Sequence, residues 1–281
     1  MVLGLLLMSC TSNQSTTEES LPSTSTTGSG QLLNLGDVPV TGAINVDTQM
    51  RDDSVHPEWP MFSYMTLDEA SRPPGSVVPL AEQCLSRRPG ETTFVWPQGV
   101  RDIGRALELA FGDAEFSLRR DRELLGPGQT AYVFDRGNAD SPVIAAQGAY
   151  MRLEGELLDV AMPAPPSLTG DDQESIREKL RRRQFDVEWS VPTSASSTSE
   201  LFVSLDTTFL LTSGETVKAV CYWRDDGHGV FEAPEGLTDE QLATADIRLI
   251  TLARRATGAF EHPSLGAIAA MVQKKVNFTY F

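Results

Sequence analysis

The 281-residue sequence predicts an α+β fold: one domain with a largely antiparallel sheet and about three to four helices. Two observations indicate this class. Short β-rich segments occur in pairs around turn residues, and a few longer segments carry apolar residues at helical spacing. A third observation, a tract rich in serine and threonine near the N-terminus, predicts a disordered tether in front of the domain.

Composition divides the chain into four segments. Residues 1–9 are apolar and predict a signal segment. Residues 10–31 predict an anchor and tether, because twelve of the twenty residues from 11 to 30 are Ser or Thr and cannot bury apolar area. Residues 32–91 are rich in Pro and turn formers, and are expected to be an irregular segment packed on the domain. The α+β domain is expected over 92–281.

The first part of the domain predicts one helix and two pairs of strands. Residues 99–111 have apolar side chains at helical spacing, which favours an amphipathic helix. Residues 131–134 and 143–146 are β-rich and flank a turn, and residues 150–153 and 157–160 extend the sheet.

The middle of the domain predicts a helix followed by a hairpin. Residues 171–184 are highly charged and favour a solvated helix whose C-terminal cations complement its dipole. Residues 201–211 and 216–223 are apolar and β-branched, and the Ser213-Gly214 turn between them predicts an antiparallel hairpin.

The last part of the domain predicts a long helix over 239–256. Thr238 and Gln241 have the spacing of a capping box, and Arg254 and Arg255 would fill the last turn. A stripe of Leu and Ala supports this interpretation. The remaining predicted elements are a short helix from Ser264 and a closing strand over 276–281.

The charge of the chain limits its partners. Its 39 acidic and 23 basic side chains give a net charge of -16, which repels phosphate backbones, so nucleic acid is not an expected partner. No run of 18 or more apolar residues occurs, so no transmembrane helix is expected and membrane attachment would need another device.

The N-terminus suggests such a device. Residues 2–8 are almost entirely apolar and lead into Leu7-Met8-Ser9-Cys10. This sequence resembles the lipobox of bacterial lipoproteins. The resemblance covers only the first ten residues, and it implies cleavage before Cys10 and attachment of a diacylglycerol to the Cys10 thiol. Two or three acyl chains give stable anchoring, so the resemblance implies an extracytoplasmic protein anchored to a bacterial membrane.

Two cysteines remain if Cys10 is acylated. Disulfides persist outside the cytoplasm, so Cys84 and Cys221 are expected to form one. Such a bridge would staple the loop-rich segment to the sheet. The alternative is two free buried thiols.

The strongest candidate polar site is Asp225, Asp226 and His228, just after the predicted strand that holds Cys221. A carboxylate beside an imidazole can do acid–base work or bind a metal. Asp-Asp-Gly is equally ordinary turn chemistry, so both interpretations stay open. Common nucleophile, zinc and phosphate-loop motifs do not occur in the sequence, and neither a metal site nor a cofactor is expected.

These observations favour a non-catalytic binding or interaction module, anchored by lipid in the envelope. Its partners would be the membrane, through the N-terminal lipid, and an envelope protein or a small-molecule ligand. The alternative is an extracytoplasmic hydrolase that uses Asp225, Asp226 and His228, because dispersed carboxylate sites leave no motif.

Overall fold

The computed structural model describes residues 31–33, 40–51, 62–72, 83–87, 101–121, 131–135, 148–192 and 200–279. Within these ranges the chain forms fifteen strands and only two short helices. The predicted α+β class with three to four helices is therefore wrong, and the fold is mainly β. The predicted signal segment, Cys10 and almost all of the predicted tether lie outside the described residues.

The elements follow one another along the chain with these bounds. The first nine strands are β1 (Gln31–Leu33), β2 (Val40–Arg51), β3 (Phe62–Arg72), β4 (Gln83–Arg87), β5 (Leu107–Phe111), β6 (Ala114–Asp121), β7 (Ala131–Asp135), β8 (Tyr150–Leu153) and β9 (Glu156–Ala161). The remaining elements are α1 (Gln173–Lys179), β10 (Gln184–Glu188), β11 (Glu200–Leu210), β12 (Thr216–Arg224), β13 (His228–Glu232), α2 (Asp239–Thr244), β14 (Asp246–His262) and β15 (Gly266–Thr279).

Thirteen of these strands form one large sheet. Their order is β4-β12-β11-β14-β15-β2-β3-β7-β6-β5-β8-β9, with β1 paired to the end of β14. β10 and β13 form a separate two-stranded antiparallel sheet. Neighbouring strands of the large sheet are antiparallel except for β2 and β15, which run parallel. This exception joins the first long strand of the described chain to the last.

The long helix predicted over 239–256 is mostly a strand. Thr238 does cap a helix and forms the expected capping box with Gln241, but α2 ends at Thr244 and β14 follows. All residues from Ile250 to Phe260 are buried, since β14 lies in the middle of the sheet and both of its faces are covered. A strand buried on both faces has no apolar–polar alternation, so its Leu and Ala residues matched a helical stripe instead.

The other helix predictions are also wrong in whole or in part. The C-terminal part of the segment 99–111 is β5, whose residues alternate between buried and more exposed positions. The segment 171–184 contains α1, capped by Asp172, but it continues into β10. The helix predicted from Ser264 is instead the turn between β14 and β15 and the start of β15. Over two turns or fewer, apolar residues can match helical and strand spacing at once, so these segments were ambiguous.

Several strand predictions are confirmed. The hairpin around Ser213-Gly214 is β11 and β12, with Leu210 opposite Thr216. The strands predicted over 131–134, 150–153 and 157–160 are β7, β8 and β9. The strand predicted over 276–281 is the end of β15, which is described as far as Thr279, and the strand predicted over 143–146 lies outside the described residues.

The segment 32–91, expected to be irregular, supplies β2, β3 and β4 to the large sheet. Its buried residues include Val46, Met65 and Leu67, which pack in the main core. β2 pairs with β15 more than 200 residues later in the sequence, and a local pattern cannot reveal such a partner.

Two large hydrophobic cores and one small cluster of Val40 with Ala259, Ala267 and Ala269 lie along the β14–β15 hairpin. The main core joins residues of β2 and β3 to β5, β6, β8 and β9, and it includes Ala256 and Phe260 of β14. The second core joins β11 and β12 to α1, α2, β10 and β13, and it includes Ile250 and Leu252 of β14. These four residues of β14 lie on one face of the strand, since they occupy alternate positions. Arg254 occupies the position between the two pairs.

Candidate functional site

The three residues of the predicted polar site do not converge. Asp225 is buried with Arg254, whereas Asp226 is exposed and accepts a hydrogen bond from the backbone N–H of His228 at 3.3 Å. The His228 ring is exposed, and its Nε2 lies 3.3 Å from Asp186 Oδ1. Gly227 has a φ of 98°, which is typical of turn glycines. The turn interpretation of this sequence thus describes its geometry.

Asp225 is held by two side chains. Arg254 Nη2 donates to its Oδ1 at 3.2 Å, and Arg254 Nε lies 2.8 Å from Oδ2 without hydrogen-bond alignment. Trp189 Nε1 donates to Oδ1 at 2.8 Å. Arg254 also donates to the carbonyls of Ala164, Pro165 and Ser190. Each carboxylate oxygen of Asp225 thus faces a donor group of a buried side chain.

Trp189 lies next to a second tryptophan, Trp223, with ring centroids 5.5 Å apart in a stacked arrangement. Trp223 Nε1 donates to the Val230 carbonyl at 3.1 Å. Gly229 is required under this ring, because a Cβ there would lie 2.4 Å from the indole. Both tryptophans are buried, so they form part of the second core rather than a platform for a ligand.

The predicted disulfide is confirmed. Cys84 on β4 and Cys221 on β12 are directly opposite in the register, with sulfur atoms 1.96 Å apart. The bridge fastens the short strand β4 to the large sheet, and Cys221 belongs to the second core.

A second group of polar side chains lies on the opposite face of the central strands, and we call it the polar face. Its members come from β2, β11, β12, β14 and β15, and the strand registers place them on one side of the sheet. The polar face consists of Asn45, Asp47, Ser204, Asp206, Tyr222, Thr251, Arg255, Gln273, Lys275 and Asn277.

Four charges define the polar face. Lys275 Nζ lies 2.5 Å from Asp47 Oδ2, and Arg255 Nη2 lies 3.5 Å from Asp206 Oδ2. Arg255 Nε also donates to Gln273 Oε1 at 2.9 Å. The four charges thus form two ion pairs, and the exposed Lys218 and Arg224 of β12 lie on the same side of the sheet.

Burial and the neighbouring charges set the pKa of Asp47. The loss of hydration raises the pKa of Asp47, and the nearby Lys275 offsets only part of this effect. Arg255 lowers the pKa of Asp47 and Asp206 raises it, so the four charges act on one another. The guanidinium of Arg255 also lies over the Tyr222 ring, 5.1 Å from its centroid.

Three buried polar atoms of this face have no hydrogen-bond partner among the described residues. They are Nη1 of Arg255, Oδ1 of Asp47 and Oδ1 of Asn45, and Oγ1 of Thr257, on the same side of β14 as Arg255, is a fourth such atom. Buried polar groups in folded proteins are nearly always paired, so each unpaired atom calls for an explanation. One atom is a cationic donor and two are acceptors.

Sequence reasoning missed the polar face. Arg255 was assigned to the last turn of a helix, and the other members lie on strands far apart in the sequence. One signal was present: Gln273, Lys275 and Asn277 occupy alternate positions, although Lys274 interrupts the alternation. Such alternation predicts one polar face on a strand, but it does not identify the strands beside it.

Among the described residues, no group of three or more His, Cys, Asp or Glu side chains is placed to hold a metal ion. In the same part of the chain, no helix combines the length and apolar character needed to cross a membrane.

Comparison with known proteins gives no family. No family model matches the chain, and no curated protein matches it. Among solved structures, the yeast delta-COP-I mu-homology domain is similar at a TM-score of 0.19 and 7% identity, over 85% of this chain and 96% of that one. A likeness this weak carries no argument about fold or function.

Proposed function

We propose that the chain is a lipid-anchored extracytoplasmic protein of a bacterial envelope, and that its folded part is a non-catalytic binding module. The lipobox-like Leu7-Met8-Ser9-Cys10 and the Ser/Thr-rich tract behind it support the anchor. The bridge between Cys84 and Cys221 supports an oxidising compartment, since structural disulfides are rare in the cytosol.

The polar face carries the assignment of a binding module. It places unpaired buried donor and acceptor atoms beside two ion pairs, and a small polar ligand would satisfy such atoms. The partners proposed are the membrane, through the lipid on Cys10, and a small-molecule ligand on the polar face. The hydrolase alternative needs Asp225 as an acid or base, whereas Arg254 and Trp189 engage that carboxylate.

Detergent partition tests the anchor. Expressed in a bacterial host behind a complete signal peptide, the protein should enter the detergent phase of a Triton X-114 separation. The Cys10→Ala variant should stay in the aqueous phase, because it has no thiol to acylate. Ser12→Ala is the matched control in the same tract and should partition as the wild type does. An intact mass that shows no lipid on the wild-type N-terminus would overturn the proposal.

A further inference from the structure

We propose that Asp226 is a self-modification site, at which the side-chain carboxyl condenses with the backbone nitrogen of Gly227 and the linkage becomes isoaspartyl. Water is the only other reactant. Neither the lipid anchor nor a bound ligand takes part, so this modification is independent of the proposed function.

The sequence singles out one position for this reaction. Asp226-Gly227 is the only Asp-Gly pair in the chain, and no Asn-Gly pair occurs. The nucleophile is the backbone nitrogen of the residue after the aspartate, and a side chain on that residue crowds it. Glycine has no Cβ, so the nitrogen of Gly227 is the least hindered of those that follow an aspartate here. Nucleophile and carboxyl belong to one chain, which removes the entropic cost of bringing them together.

The turn between β12 and β13 brings the reacting groups together. Asp226 is exposed, and its Oδ1 accepts a hydrogen bond from the N–H of His228 at 3.3 Å. An aspartate side chain bonded two residues on along the backbone lies back over the intervening peptide, which here is the bond to Gly227. Among the described residues, the N–H of Gly227 donates no hydrogen bond. No such bond has to break before the nitrogen attacks.

The reaction proceeds in two balanced steps. The nitrogen of Gly227 attacks Cγ of the protonated Asp226 carboxyl, and the carboxyl OH leaves as water with the N–H proton. The product is a cyclic succinimide. Water then adds to the former backbone carbonyl carbon of Asp226, and the bond from that carbon to nitrogen breaks. The main chain now runs through Cβ and Cγ, and the free carboxylate is on Cα.

The modified backbone no longer fits the turn. The N–H of Asp225 donates to the Leu201 carbonyl at 3.1 Å, and the N–H of Trp189 donates to the Gly227 carbonyl at 3.1 Å. These bonds fix the chain on both sides of the new linkage, which adds one backbone atom between them. Asp225 is also the buried partner of Arg254. We therefore expect isoaspartate to destabilise the fold through this ion pair.

The test incubates the full chain at neutral pH and physiological temperature in water enriched in a heavy oxygen isotope. The tryptic peptide of residues 225–248 should accumulate an isoaspartyl isomer that carries one heavy oxygen atom, and fragment ions should place it at Asp226. Asp113 is the internal control, since it is an exposed turn residue followed by Ala114, and it should react at least tenfold more slowly. This comparison needs no variant.

Two variants test the chemistry. Asp226→Glu keeps the charge at an exposed position but requires a larger ring, so it should slow isomerisation there at least tenfold. Asp113→Glu is the matched control and should leave the rate at Asp226 unchanged. No isoaspartate at Asp226, or equal rates at Asp226 and Asp113, would overturn the proposed site.

Brief proteolysis in urea, at the midpoint of unfolding, measures the consequence for stability. Folded molecules that survive should contain at least threefold less isoaspartate than the sample before proteolysis, because modified molecules unfold first. An equal content in survivors and starting sample would overturn the effect on the Asp225–Arg254 pair.

Discussion

Arg254 and Asp225 form an ion pair in which each side chain is only 1% exposed, at the point where the two hydrophobic cores meet. Arg254 lies on β14, and Asp225 follows the end of β12. The same guanidinium donates to the carbonyls of Ala164 and Pro165, between β9 and α1, and of Ser190, after β10. One arginine therefore contacts three segments of the chain at a single buried point.

Removal of this arginine should destabilise the fold. Arg254→Met should lower the free energy of unfolding by about 3–5 kcal/mol, since it leaves the Asp225 carboxylate buried without its cation. Urea denaturation measures the change. Arg248→Met is the matched control on the same strand, where Arg248 is exposed and pairs with Asp246, and it should cost no more than about 0.5 kcal/mol. Equal, small losses for both variants would contradict a structural role for Arg254.

Loss of the disulfide should have an effect of similar size. Cys84 and Cys221 are 137 residues apart, and the chain-entropy model assigns a loop of this length about 5 kcal/mol. The double variant Cys84→Ala, Cys221→Ala should therefore unfold at a much lower denaturant concentration than the oxidised wild type. Thiol titration of denatured, unreduced protein provides the check, and detection of both thiols as free would refute the bridge.

Glu154 should make stability depend on acid pH. Burial alone would raise the pKa of Glu154, but hydrogen bonds from Arg105 and from the Glu108 N–H, with the charge of Arg105, outweigh it and lower that pKa. Because the folded-state pKa lies below the unfolded value of about 4.3, this contribution is complete above pH ~4.3 and is lost as pH falls through the folded-state pKa.

Thermal melting between pH 3 and pH 7, within roughly the range where carboxylates titrate, measures this dependence. Glu154→Gln should flatten the acid side of the profile and lower stability at neutral pH. Glu156→Gln makes the same charge change on the same hairpin and should leave the slope in place. An unchanged slope in Glu154→Gln would show that other carboxylates cause it.

His262 should matter for packing of the β14–β15 turn. Its buried ring donates from Nε2 to the Leu153 carbonyl at 3.1 Å, and Nδ1 accepts from the N–H groups of Ser264 and Leu265 at 3.3 and 3.2 Å. His262→Phe leaves the Leu153 carbonyl and the Leu265 N–H, both on buried residues, without this partner, at about 1–3 kcal/mol for each group. Chemical denaturation should show this loss, whereas exposed His228→Phe should change stability little. A similar response from the two variants would argue against this role.

Local signals were sufficient where an element is stabilised by its own neighbours in sequence. The turn at Ser213-Gly214 fixed the hairpin of β11 and β12, and Thr238 with Gln241 fixed the start of α2. The disulfide followed from counting cysteines once Cys10 was set aside. In each case the residues that specify the feature are few, and they were available in the sequence.

Local signals failed where distant strands decide the environment. β14 is covered on both faces, so Arg254 and Arg255 point to opposite sides of a sheet although they are adjacent in sequence. The helix interpretation had placed them together at a helix end. The polar face could not be assembled from sequence because Asp47 and Lys275 meet only through the pairing of β2 with β15.

The parallel pairing of β2 with β15 also sets the order of events during synthesis. Gly42 on β2 is opposite Ile268 on β15. The ribosome therefore makes β2 226 residues before the strand with which it pairs. At ~10 residues per second the interval is about 20 s. Throughout it, β2 presents an unpaired edge of mostly buried-type residues, which is the kind of edge that pairs with other chains. A holdase that covers β2 and β3 until β15 emerges would therefore protect the nascent protein from aggregation.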